Sequence, residues 1–344
     1  MKINIKKEQD VTFISVDNDN GMYVVLSTFG ASIYDLKVVD KFNNLESVVL
    51  YPSDLDDFYY SDAYYGKTIG RFSGRIDKAK CSINGVEYIL EKNWNNINSL
   101  HGGYNGISFQ NFNYSINELI DRVDIIFTYL EKEELLPGDV EYKITYSIMK
   151  TINEINIDFY ATTNKDTLVN LTNHTYFNLS GDLKDNIKKH NLQLLCNKYT
   201  NLNNELITLS IDDVNEVFDF RQPHEIGKYI YDESLQNHMS LGYDHCWLKE
   251  NTDKVAVLTD EVSGRRLTVS SSYPAIVCYA GCYPKKFLFN EGKYIEQYHS
   301  ICLECQYVPN SINMDNVFNG ILKTDETYKH YIKFSFDIME AKDE

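Results

Sequence analysis

Between residues 140 and 148 the chain reads VEYKITYSI, with Val140, Tyr142, Ile144, Tyr146 and Ile148 alternating with Glu141, Lys143, Thr145 and Ser147. Successive Cβ atoms of an extended chain point to opposite sides, so a period of two describes a strand with one buried and one solvated face. The same alternation recurs in EINIDFYA, through Ile155, Ile157, Phe159 and Ala161, and in YIKFSFDIM, through Ile332, Phe334, Phe336 and Ile338. Half-buried strands of this kind belong to antiparallel sheets. Turn signals separate them. Asn84-Gly85 in CSINGVEYIL predicts a two-residue hairpin, and VAVLTDEVSGRRLTVS predicts another turning near Ser263-Gly264. Helical periodicity is scarce. PSDLDDFYY predicts one or two helical turns with Ser53 as N-cap, and PHEIGKYIYDES a second short piece. No Pro- or Gly-rich linker, low-complexity run or repeat interrupts the pattern. The expectation is a single all-β domain over residues 1–344, packed as a large antiparallel sandwich.

Composition narrows the partners. The chain has 344 residues, 43% of them hydrophobic, which is long enough for one large domain or two ordinary ones. Its 27 tyrosines suit half-buried pleated surfaces, and they also suit polar, ring-shaped ligands. A net charge of −17 repels phosphate backbones and anionic lipid, so nucleic acid and membrane surfaces are poor partners. An uncharged small molecule is unaffected. The N-terminal MKINIKKEQDVTFISVDNDNG has no apolar core, and no run approaches 18 apolar residues, so the expectation is a cytoplasmic protein without a membrane span. Seven cysteines, an odd number in a long chain, fit reduced thiols.

Four stretches place ionisable groups in apolar or aromatic surroundings: NSLHGGYNG with His101, LVNLTNHTYFNLSG with His174, LGYDHCWL with Asp244 and HSICLECQYVP with Glu304. Each has a structural explanation: a solvated loop histidine, a hydrogen-bonded core histidine, a capping aspartate, a surface glutamate. Each also has a chemical one. In a strand, Cys302, Glu304 and Gln306 share a face opposite Ile301, Leu303 and Cys305. This predicts a carboxylate on the polar side of a strand buried on its other side, well placed for a general base. His174 and Tyr176 would likewise share one strand face. The pairs Cys302/Cys305 and Cys278/Cys282 suggest zinc, but residues three apart on a straight strand point to opposite faces, so a four-cysteine site is not expected. Phosphate-binding loops, dinucleotide fingerprints, nucleophile elbows and H-E-x-x-H are absent, which leaves acid–base chemistry without metal or cofactor.

The segments GKTIGRFSGRI, INGVEYIL, NSLHGG, LPGDVEYKITYSI, NHTYFNLSG, FDFRQPHEIG, GYDHCWL, SGRRLTVSSSYPAIVCYAG and CLECQYVPNSIN occur in that order. Together, from about residue 10 onward, the chain resembles the aldose 1-epimerase (galactose mutarotase) family. The resemblance implies a β-supersandwich with an open cleft on a concave face. It also implies interconversion of the α and β anomers of free aldohexoses such as galactose and glucose. On it, Glu304 is the base, His174 the acid and His101 an assisting group. Arg75 and Asp244 hold sugar hydroxyls, Tyr176 and Asn98 belong to the same binding set, and no cofactor is required. The implied working state is a Glu304 carboxylate facing a His174 imidazolium, with a bell-shaped pH profile. Three positions depart from the family pattern: Gly74 and Cys282 where members often have asparagine, and Val277 where they often have glutamine. The alternatives are a sugar-binding or sensing protein without catalysis, and an epimerase of phosphorylated hexoses. The second needs a cationic cluster that the sequence does not show. Nothing in the sequence bears on oligomeric state.

Overall fold

The computed structural model describes residues 1–236 and 239–340, in which antiparallel sheets are joined by loops and short helical turns. Three sheets carry the architecture. Five N-terminal strands, from Lys2–Glu8 to Leu45–Ser47, form a meander in sequence order. A nine-stranded sheet runs from Asn113–Glu118 through Arg122–Glu131, Val140–Met149 and Asn153–Thr163 to Tyr328–Ile338, and continues across to His224–Glu225. A six-stranded sheet has the order Tyr176–Phe177, Ile301–Gln306, Ala275–Tyr279, Asp244–Lys249, Cys196–Leu202 and Thr208–Asp213.

The alternating segments become strands of the nine-stranded sheet, and their apolar faces close on the core. Tyr142, Ile144, Tyr146, Ile148, Ile155, Ile157, Phe159, Ile332 and Phe334 are all buried in one cluster. The six-stranded sheet adds Trp247, Ile276, Cys278, Ile301, Leu303 and Cys305 to that cluster, and the meander adds Ile14, Val16, Val24 and Leu26. Apolar burial at about 25 cal/mol per Å² thus binds the three sheets together.

The Asn84-Gly85 hairpin forms with Ile83 opposite Val86, and φ is 52° at Asn84 and 78° at Gly85. Positive φ at both positions is what the twist of a two-residue hairpin demands. The second hairpin joins Lys254–Thr259 to Arg265–Ser271 through the Ser263-Gly264 turn.

The helix expected near residue 53 spans Leu55–Tyr60, but its N-cap is Asp54, not Ser53. The Asp54 carboxylate accepts from the Asp56 N–H at 2.8 Å, while the Ser53 hydroxyl accepts from Gly292 N–H instead. PHEIGKYIYDES yields only a 3₁₀ turn at Ile226–Lys228 and the four-residue helix Glu233–Gln236. No helix among the described residues is long and apolar enough to cross a membrane.

Candidate active site

The floor of the site is the free face of the six-stranded sheet. Opposed residues in antiparallel strands share a face. Pairing of Tyr176 with Cys302, Cys302 with Tyr279 and Tyr279 with Asp244 therefore makes one rung. Glu304, Val277 and Cys246 make the next, and Gln306 opposite Ala275 the one after. The sequence parity of 302, 304 and 306 holds, but all six residues of Ile301–Gln306 are buried. The expected solvated face is instead covered: Tyr64, Gly74, Arg75, Trp94, Leu100 and His101 come over it from outside the sheet, Leu206 from the loop after Cys196–Leu202, and Leu202 and Thr208 line it from the sheet's own outer strands. They enclose a cleft of about 910 Å³, counting its open mouth.

His101 is no mobile-loop residue. The strand Ser99–Leu100 pairs with Arg75–Ile76, and the chain then turns through φ values of 50°, 81° and 84° at His101, Gly102 and Gly103. A Cβ at Gly102 would lie 2.1 Å from the Gly70 carbonyl oxygen, so only glycine fits against that backbone. The imidazole is 8% exposed, and its Nδ1 accepts from the Gly74 N–H at 3.2 Å. A neutral ring accepting at Nδ1 carries its proton on Nε2, so His101 is a donor toward the cleft.

His174 sits between two short strands, not within one. Thr172–Asn173 pairs with Thr68–Ile69, and Tyr176–Phe177 pairs with Ile301–Cys302. Where the chain changes partners, His174 N–H donates to the Lys67 carbonyl and its own carbonyl accepts from Gly66, both at 2.9 Å. The ring still packs 5.0 Å from that of Tyr176 and 5.2 Å from that of His101. Its Nδ1 is 3.5 Å from the Cys302 sulfur, and its Nε2 is 3.5 Å from Glu304 Oε1. Glu304 is 2% exposed, and its other oxygen, Oε2, has no protein partner.

Asp244 opens its strand and is bridged to Arg75 at 2.9 Å. The Arg75 guanidinium lies 4.4 Å over the Trp94 ring, so one face is held by the aromatic system and one edge by the carboxylate. Trp94, in the turn EKNWNN, lines the cleft and was not singled out from sequence. Tyr176 lines it through its ring, while its hydroxyl donates to the Ala63 carbonyl at 2.8 Å. Asn98 does not line it. Its Oδ1 accepts from Lys78 N–H and its Nδ2 donates to Glu205, so this fully buried amide braces the turn behind Arg75 instead of facing a ligand.

The whole-chain comparisons agree with this geometry. The family model described as aldose 1-epimerase matches residues 12–335. The chain belongs to the aldose 1-epimerase family. Galactose mutarotase from Mus musculus is 31% identical over 321 residues, covering 92% of this chain and 91% of the relative. Aldose 1-epimerase from Streptococcus thermophilus is 30% identical over 341 residues, covering 95% and 94%. Among solved structures, an aldose epimerase homologue from C. elegans superposes with a TM-score of 0.84 at 25% identity, covering 95% of this chain and 99% of that one.

Of the three departures from the family pattern, Gly74 and Val277 line the cleft. Cys282 does not; it is buried, with its sulfur 3.9 Å from the Tyr243 carbonyl. All seven cysteines are buried and free. Cys302 and Cys305 lie in different apolar clusters, as opposite strand faces require. Among the described residues, the group of acidic, histidine or cysteine side chains close enough to share an ion is His101, His174 and Glu304, with donor atoms within 4.8 Å of one another. Two imidazoles and a carboxylate are a donor set that transition ions accept.

Burial sets the charges, and it opposes the expected carboxylate–imidazolium state. Desolvation lowers the His174 pKa to about 4, with Arg75 adding to the fall and Asp244 opposing it. His101 is lowered well below its ordinary value by burial, then by His174 and Arg75. Glu304 is raised well above its ordinary value by burial and by Asp244, against the pull of Arg75. Burial thus shifts both groups toward their neutral forms, imidazole and carboxylic acid. That state and the ion pair hold the same single proton, differing only in which residue carries it.

Proposed function

We propose that the protein interconverts the α and β anomers of free aldohexoses, galactose and glucose among them, by acid–base ring opening and reclosure. The observation that carries the reading is the buried Glu304–His174 pair, 3.5 Å apart on the wall of a sugar-sized cleft. In the ion-pair form, the Glu304 carboxylate takes the proton of the anomeric hydroxyl as His174 gives one to the ring oxygen. The C1–O5 bond breaks, the C1–O1 bond becomes a carbonyl, and the pair is left as carboxylic acid and neutral imidazole. Rotation about C1–C2 presents the other carbonyl face. The acid then returns its proton to O1, O5 attacks C1, and the imidazole recovers the O5 proton. The neutral pair favoured by burial is thus the form that faces the open-chain aldehyde. His101 Nε2–H is available to a sugar oxygen. Arg75 and Asp244 offer a donor edge and acceptor oxygens to hydroxyls.

A phosphorylated hexose fits less well. The lysine and arginine lining the cleft are Arg75 and Lys285, and each is already paired, with Asp244 and Asp62 respectively. The test is anomer exchange by saturation-transfer NMR on galactose, glucose and their 6-phosphates, with the spontaneous rate subtracted. Faster exchange of the free sugars is expected. A protein that binds free hexose yet leaves its exchange at the spontaneous rate would establish the non-catalytic alternative.

A further inference from the structure

Gln306 lies two residues beyond Glu304 on the same strand and the same face, and it lines the same cleft. It is 0% exposed, yet neither Oε1 nor Nε2 has a protein hydrogen-bond partner. Stripping an amide of water with nothing in return is costly, and native proteins keep such groups paired unless something else supplies the partner. Its surroundings offer nothing. Ala275 stands opposite it, Val277 stands opposite Glu304, and both belong with Cys246 and Val308 to a small apolar cluster. The corner at Gly74 has no side chain, and φ of +76° with a Cβ only 2.6 Å from that of Pro309 keeps one from being added. Gly74 and Val277 thus offer the cleft no polar side chain, and an uncommitted amide at 306 faces the same cleft.

We infer that Gln306 is a sugar-binding, specificity-determining residue, its amide donating to one hydroxyl and accepting from a neighbouring one on the bound aldose. Two residues along a strand is about 6.6 Å. That spacing sets Gln306 against hydroxyls away from the anomeric carbon when O1 is at Glu304. A vicinal diol supplies one donor and one acceptor, which is what a primary amide needs. The inference rests on the anomer-exchange reading and gives it a specificity element.

The test crosses Gln306→Met, which keeps length and removes both hydrogen bonds, with galactose, glucose and their monodeoxy derivatives. On the parent sugars kcat/KM should fall about 10–100-fold, mainly through KM, for the loss of two hydrogen bonds. A deoxysugar lacking a bound hydroxyl should lose less on mutation, while the other deoxysugars keep the full loss. The melting temperature should stay level or rise, because an unpaired buried amide is gone. Gln306→Asn, which keeps the amide but shortens its reach, should fall between the two proteins. An unchanged kcat/KM overturns the inference. So does an equal loss on every sugar with a lowered melting temperature, which marks a structural role. If the parent protein exchanges no anomers, the proposed function fails separately, and Gln306 is judged by galactose calorimetry: weaker binding in Gln306→Met supports it and equal binding refutes it.

Discussion

Replacing Glu304 by Gln separates what the residue does for chemistry from what it costs the fold. The side chain keeps its shape but loses the site's proton acceptor. A positioned acid or base contributes about 10²–10⁴-fold, or about 3–5 kcal/mol of barrier, so exchange should fall by that factor while sugar binding largely survives. Stability should move the other way. Glu304 is 2% exposed with Oε2 unpartnered, and burial raises its pKa well above the ordinary 4.5. A group whose pKa is raised on folding supports the native state below its unfolded value. That support is lost as pH climbs through the folded value, at about 1.4 kcal/mol per unit of displacement. A glutamine has no proton to lose. Glu304→Gln should therefore melt no lower than the parent at pH 7, with an advantage that grows as pH rises from about 4.5 toward the raised folded value. The assays are NMR anomer exchange and thermal melts over that range. Parental exchange, or a variant that melts increasingly below the parent as pH rises, would refute the reasoning.

The pH–rate profile should fall on both sides of a maximum. Its acid limb marks a second proton entering the pair at His174 and should have its midpoint near pH 4; a midpoint near 6.5 would mean a solvated histidine. The alkaline limb marks loss of the single proton, opposed by the raised Glu304. Asp244→Ala should raise KM more than it lowers kcat. It should also cost about 3 kcal/mol in denaturant titrations, because Arg75 is left as a largely buried cation on Trp94 alone; unchanged stability would show that the pair is solvated. Dialysis against EDTA should leave the rate intact, whereas added Zn²⁺ should inhibit in competition with sugar by seizing His101, His174 and Glu304. Calorimetric zinc binding undiminished in His101→Gln would place the ion elsewhere.

Much of this protein is local and therefore legible along the chain. Alternation at 140–148, 155–161 and 332–338 names the strands and their inner faces, because a pleat points neighbouring side chains apart whatever lies around it. Asn84-Gly85 names its turn for the same reason. The parity that sets Glu304 and Gln306 against Leu303 and Cys305 is equally local. What covers that face is not. The pairs that make the site join residues far apart, Arg75 with Asp244 and His174 with Glu304, and no short-range pattern encodes them. Residues 62–109 had to fold over the six-stranded sheet before a polar strand face became a dry cleft. The N-cap moved from Ser53 to Asp54 because a carboxylate reached the open N–H while the serine was drawn to Gly292. Asn98 sits in a telling motif, yet turns its amide to Lys78 and Glu205. Trp94 carried no sequence signal and Gln306 only its strand parity, since a stacked indole and an unpaired amide are defined only by what surrounds them. The protonation of the reacting pair was likewise decided in three dimensions. Residue type makes an imidazole and a carboxyl titratable, but desolvation, a property of the packed interior, drives both toward neutrality and leaves one proton between them.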